Sequence, residues 1–202
     1  ISSDIKHDNI LVNWTSSDDG TNTITNVALG DFLIAFKSGS GKPRQTPYAV
    51  GNFMWQSPER QTGRGLTKAF DMVCIYALGG GELLLLGDEY VELAKHGIPP
   101  EQEILSWHFS YFGPVNEGLL KQVNDEDWSA ALRAASELAE WAVRDVLERR
   151  FEVWGSDLEP KAQDMIAGLT RMDPARLTAD QCLAHPWWQG EGWWKLSLDY
   201  NT

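Results

Sequence analysis

Residues 2–11 read Ser2-Ser3-Asp4-Ile5-Lys6-His7-Asp8-Asn9-Ile10-Leu11. An acid, a base and an amide, Asp4, Lys6 and Asn9, stand close together and run straight into an apolar stretch. Taken alone, such a pattern describes a solvated turn ahead of a strand. The segments C-terminal to it give it more meaning.

Ile10 to Trp14 is short, apolar and partly β-branched, and reads as a strand. Residues 15–22 (TSSDDGTN) carry turn chemistry throughout. Thr23 to Leu29 is a second strand, so the two form a hairpin that brings the chain back toward Asp4. Gly30-Asp31-Phe32-Leu33 arrives at that point. Residues 36–48 (FKSGSGKPRQTPY) form a polar surface loop, and Val50 to Glu59 comes next, ending in Ser57-Pro58-Glu59. Leu66 to Leu86 is strongly apolar, with Asp71 near its start. By itself Asp71 is an acid in the first turn of a helix, where the macrodipole favours it.

The second half is helical. Glu101 to Phe112 is an amphipathic helix stopped by Gly113-Pro114. Asp127 to Arg150 is the clearest helix: Trp128, Ala131, Leu132, Ala135, Leu138, Ala139, Ala142, Val146 and Leu147 recur at helical spacing. Acids precede it and Arg149 and Arg150 close it. Its alanine and aromatic face reads as core. Glu159 to Met172 is a further helix, with Pro160 in its first turn and Ala162, Met165, Ile166 and Leu169 inward. Thr178 and Gln181 carry a capping-box pattern for one more.

The 202 residues are enough for one sizeable domain with its own core. Lys and Arg number 17 against 29 Asp and Glu, a net charge of -12, which disfavours nucleic acid or an anionic membrane as partner. Cys74 and Cys182, far apart in apolar surroundings, read as two buried reduced thiols, which suits an intracellular protein, cytoplasmic or nuclear. Ala77 to Leu86 is too short and too glycine-rich to span a bilayer. The chain opens on Ile1 within a motif, so a preceding segment is expected.

In order and spacing these segments are similar to the C-terminal lobe of a eukaryotic protein kinase of the serine/threonine class. Asp4, Lys6 and Asn9 resemble the catalytic loop, and Asp31-Phe32 the metal-holding Asp-Phe-Gly. Ser57-Pro58-Glu59 looks like the Ala-Pro-Glu that ends the activation segment, and Asp71 the acid of the buried helix beneath the loop. Asp173-Pro174 with Arg176 and Thr178, then His185-Pro186-Trp187, resemble the late signatures. The long stretch between Gly87 and Ser156 is reminiscent of insert-bearing kinases related to the cyclin-dependent and MAP kinases, as in divergent fungal kinase-like proteins.

The resemblance implies a mainly α fold, a helical bundle with a short β-hairpin carrying the catalytic and metal-binding loops. It covers residues 1–188 and leaves 189–202 as a tail. It implies ATP and Mg2+ as cofactors and a protein Ser/Thr hydroxyl as acceptor. Asp4 and Lys6 would be catalytic, Asn9 and Asp31 would hold the metal, and Leu11 would lie under the nucleotide base. Asn52, Glu59, Asp71 and Arg176 would be structural supports, with Glu59 paired to Arg176. The N-terminal lobe, with its glycine-rich loop and strand lysine, is expected upstream.

Three departures from the pattern qualify it. Ser2 and Ser3 replace the His-Arg before the catalytic acid, Leu33 replaces a glycine, and Val73 a tryptophan. They keep a second reading open, a pseudokinase or kinase-like binding scaffold without turnover. A third is an acidic helical interaction domain with no nucleotide chemistry.

Overall fold

The computed structural model describes residues 6–33, 44–47, 51, 53–66 and 90–189. Among them are eight α-helices and one two-stranded antiparallel sheet, so the fold is mainly helical. None of these helices is long and apolar enough to cross a membrane.

The sheet is the expected hairpin with longer strands. β1 (Ile10–Ser16) pairs with β2 (Asn22–Leu29), from Ile10 opposite Leu29 to Ser16 opposite Asn22, with a register shift at Asn13/Trp14. The turn is therefore shorter than the run of turn residues suggested. Ser17 and Thr21 close it through a 3.0 Å backbone bond, and Gly20 supplies a left-handed φ of 82°. Nearly every hairpin side chain faces solvent.

The remaining helices build the body. α1 (Pro58–Thr62) begins with proline at its first position and ends at Gly63, whose φ is 68°. α2 spans Tyr90–Lys95, and α3 Pro100–Phe112. α3 starts on a proline with acids in its first turn and stops at Gly113, as the sequence indicates. α4 (Glu117–Val123) is capped by the Asn116 side chain, which accepts from Leu119 N–H at 2.9 Å. α5 (Glu126–Val143) is capped in the same way by Asp125, which accepts from Trp128 N–H. α6 (Phe151–Trp154), α7 (Pro160–Thr170) and α8 (Ala179–Leu183) complete the order. The Thr178/Gln181 capping box of α8 is formed in full.

The core lies mainly between α3 and α5. Leu105, Phe109, Leu119, Leu120, Val123, Leu132, Ala135, Ala139 and Met172 form one buried cluster. Met165, Leu169 and Cys182 form a second, covered by Trp187 and Trp188. Cys182 is a buried free thiol, as expected; Cys74 lies outside the described residues.

The long helix expected over residues 127–150 ends at Val143. A 3₁₀ turn at Leu147–Arg149 replaces its last part, and the short α6 follows. The cause is tertiary. Arg150 turns back to donate to the Phe109 carbonyl at 2.5 Å and to pair with Glu140, and Phe151 is buried edge-on to Trp154. A straight helix would carry both away from α3. The inward face is also narrower than its periodicity suggested. Leu132, Ala135, Ser136, Ala139 and Val143 are buried, whereas Ala131, Leu138, Ala142 and Leu147 are exposed.

One glycine is fixed by close approach. Gly65 has a φ of 68°, and a Cβ there would stand 2.3 Å from the Gln122 carbonyl oxygen. Its own carbonyl accepts from Gln122 Nε2 at 2.6 Å, tying α4 to the end of the α1 segment. Gly65→Ala is expected to cost upward of about 2 kcal/mol in urea unfolding, from backbone strain plus collision. Gly20→Ala, with a similar φ but open surroundings, is expected to cost only about 1 kcal/mol. Equal losses at the two positions would show that the approach to Gln122 is not the constraint.

Candidate functional site

The Asp4-Lys6-Asn9 stretch is described from Lys6 onward. His7–Asn9 is one 3₁₀ turn, with Asn9 N–H donating to the Lys6 carbonyl at 3.0 Å. Asn9 is only 6% exposed at the base of an otherwise solvated hairpin. Its carbonyl accepts from Gly30 N–H at 2.7 Å, one step beyond the Ile10–Leu29 pair. That bond sets Asp31 next to Asn9 in space, 22 residues later in sequence, as the hairpin reading requires. Leu11, the expected nucleotide-floor residue, is exposed on β1 beside Gly30.

Asp31 has a φ of 53°, a left-handed conformation that costs a non-glycine residue on the order of 1–3 kcal/mol. Strain of this kind persists where the surroundings impose it. Its Oδ1 accepts from Leu33 N–H at 3.3 Å, closing a small local turn. Leu33 itself is 92% exposed. Asp4, Asn52 and Asp71 lie outside the described residues.

Asn9 and Asp31 together offer an amide oxygen and a carboxylate. Hard oxygen donors of this kind suit magnesium, which takes few protein ligands and fills its remaining positions with water and phosphate oxygens. No cluster of three or more His, Cys, Asp or Glu occurs among the described residues, so a self-sufficient protein cage is not what they offer.

The supporting pair is fully formed. Arg176 Nη1 donates to Glu59 Oε1 at 3.1 Å and Nη2 to Oε2 at 2.7 Å, a fork across 117 residues of sequence. Both side chains are 1% exposed. Arg176 Nε donates to the Arg171 carbonyl at 2.7 Å. Asp173 shapes the turn that delivers Arg176: its carboxylate accepts from Ala175 N–H and from the Arg171 guanidinium, which holds it below its ordinary range. Burial alone would raise the Glu59 carboxyl, but the charge and hydrogen bonds of Arg176 bring it below its usual value.

Sequence reasoning missed the residues around this pair. His108, on α3, is fully buried and stands in the field of both charges. Burial, then Arg176, depress its imidazole to about 3, with Glu59 opposing. Gln56, Ser57 and Gln61 are also buried here, and Gln61 Nε2 donates to the Phe53 carbonyl at 2.6 Å. The signal was present but easily overlooked: Pro-Glu-Arg-Gln-Thr is a polar helix immediately before Gly63, a left-handed C-cap. The late His185 pairs with Asp164 at 3.1 Å and accepts from Trp187 N–H.

The pair and its histidine lead to two expected outcomes. Glu59→Leu or Arg176→Met alone is expected to destabilise by about 3–5 kcal/mol, because each leaves a buried charge uncompensated. The Glu59→Leu/Arg176→Met double variant should lose clearly less than the sum, read as a double-mutant cycle by urea unfolding. His108 binds its proton at an ordinary 6.5 when unfolded and at about 3 when folded. Stability is therefore complete above pH 6.5 and declines as the pH falls toward 3, by about 2 kcal/mol between pH 8 and pH 5. His108→Gln should flatten that decline. Below it, the Glu59 contribution is lost in turn as the pH falls through its depressed value.

No protein-family model matches the chain, and no curated protein matches it.

Proposed function

We propose that this chain is the C-terminal lobe of a serine/threonine protein kinase-like domain, which transfers a phosphoryl group from MgATP to a protein hydroxyl. The observation that carries the reading is the juxtaposition of Asn9 and Asp31 at the base of the hairpin, through the Gly30–Asn9 bond. The buried Glu59–Arg176 fork supports it independently, since the resemblance called for that pair by position.

In this reading Asn9 and Asp31 hold the metal, which neutralises charge on the nucleotide phosphates when bound. Asp4 orients the substrate hydroxyl and accepts its proton. Lys6, half-buried beside the Asn9 turn, places a cation near the transferred group. Leu11 offers an apolar surface beneath the base. An N-terminal lobe supplies the opposite wall of the nucleotide cleft.

The test is phosphorylation of a Ser/Thr peptide by the gene product that carries this segment with a glycine-rich lobe. Asp4→Ala, Asn9→Ala and Asp31→Asn should each lower the rate by at least about a hundredfold, the scale of a lost general base or preorganised charge. Unchanged turnover in Asp4→Ala would sink the assignment.

A second reading, a nucleotide-binding scaffold without turnover, is favoured by one observation. The Asp31 carboxylate is engaged by its own loop at Leu33 N–H. It predicts a nucleotide-dependent thermal shift that is indifferent to magnesium, with no phosphorylation. No nucleotide-dependent shift at all would leave an acidic helical interaction domain.

A further inference from the structure

Residues 44–47 end a polar stretch that the sequence marks as surface loop, yet they pair along the chain that follows α1. Arg44 N–H donates to the Leu66 carbonyl, and Leu66 N–H donates back to the Arg44 carbonyl, each at 2.9 Å, an antiparallel bridge. Thr46 N–H donates to the Gly63 carbonyl at 2.7 Å, and the Thr46 hydroxyl donates to the same oxygen at 2.9 Å. Between these, Gly65 N–H donates to Gln45 Oε1 at 3.1 Å. Thr46 is only 7% exposed.

Arg64 fastens this strap through its side chain. Its Nη1 donates to the Thr46 carbonyl at 3.1 Å, and its Nε stands 3.2 Å from Asp125 Oδ2, an ion pair between two partly buried groups. Asp125 has a second task, since its Oδ1 accepts from Trp128 N–H and caps α5. One guanidinium thus joins the strap to the first turn of α5, beside the place where Gln122 of α4 already holds the Gly65 carbonyl.

We infer that Arg64 is a latch that holds residues 44–46 in one position with no modification of the chain. Regulatory segments are commonly ordered by phosphorylation, which brings an anion to a waiting arginine. Here the arginine is already engaged by a carbonyl and a carboxylate, and the Thr46 hydroxyl by the Gly63 carbonyl. A phosphate on Thr46 would set acceptor oxygens against that carbonyl at a buried position. The latch stands on these contacts alone. Its consequence rests on the kinase reading: there residues 44–46 belong to the activation segment, whose order licenses turnover, and their position is set before any modifying enzyme acts.

Amide hydrogen exchange of the 202-residue chain, shown by mass to be unmodified, tests it. Arg44 and Thr46 N–H are expected to exchange at least about a hundredfold more slowly than in an unfolded chain, as paired amides of a closed segment do. Arg64→Met should speed both at least about tenfold, the scale of one charge-assisted hydrogen bond, while Leu132 and Ala135 N–H keep their rates. Asp125→Asn retains a capping oxygen for α5, so it should speed Thr46 N–H, though less, and leave Trp128 N–H protected. Thr46→Glu, which puts an anion where the hydroxyl was, should speed Arg44 and Leu66 N–H. Where Arg64→Met also loosens Leu132 and Ala135, Asp125→Asn decides. Unfolded-chain rates at Arg44 and Thr46 in the unmodified chain, a Thr46 rate indifferent to Arg64→Met or to Asp125→Asn, or a Thr46→Glu chain that exchanges more slowly than its parent would each overturn the proposal. None of these rates involves phosphoryl transfer, so they are independent of the Asp4→Ala result.

Discussion

The Glu59–Arg176 fork is the constraint on which the rest of the body depends. Each charge alone would face a desolvation penalty of several kcal/mol at 1% exposure. The two offset it only through a bidentate geometry that fixes both backbones. Glu59 can reach that position because α1, though polar, is buried along its whole length. Arg176 can reach it because Asp173 closes the preceding turn and Arg171 offers its carbonyl. The interaction thus specifies geometry more than it adds net stability. It also settles the state of its neighbour: buried and with a permanent cation beside it, His108 is neutral in the fold.

The hairpin is organised by a different kind of force. It meets little of the core, and its apolar side chains are largely exposed. Its order is local, set by cross-strand pairing and by a turn closed through Ser17, Asp19 and Thr21. Only its base is anchored, at buried Asn9. The functional candidates sit at this junction, where a solvated ribbon meets a packed turn. Such a place buries the Asn9 side chain while leaving the Asp31 carboxylate exposed. That combination suits a metal that must keep water and phosphate among its ligands.

The range of each interaction decides how much of the structure was legible in the sequence. Pro100, Gly113, Pro160 and the Thr178/Gln181 box act within one helical turn, and each lies where its local chemistry put it. The hairpin was legible for the same reason. The end of α5 at Val143 was not, because it is dictated by Arg150 reaching Phe109, a contact across 41 residues. Periodicity also could not tell which apolar residues of α5 faced the core. Leu132 and Leu138 both fit the repeat, and only the position of α3 separates them. His108 gave no signal, since nothing beside it in the chain announces two distant charges. The Glu59–Arg176 pair, by contrast, was legible from the order of motifs, though no local rule connects residues so far apart.

Leu33 shows why a departure from a pattern must be weighed by geometry. Glycine at that place would offer freedom of φ, and its loss reads as stiffening of the loop. Yet among the described residues the non-glycine positions with positive φ are Asp31 and Asn124, so Leu33 adopts a backbone open to any residue. The strained position is Asp31, two residues earlier, and it is held there by the Gly30–Asn9 bond before it and its own bond to Leu33 N–H after it. The substitution therefore imposes no backbone strain of its own. It places an exposed aliphatic side chain beside the proposed metal site. What that leucine changes is the surface a nucleotide or an opposing lobe would meet, while Asp31 keeps its place next to Asn9.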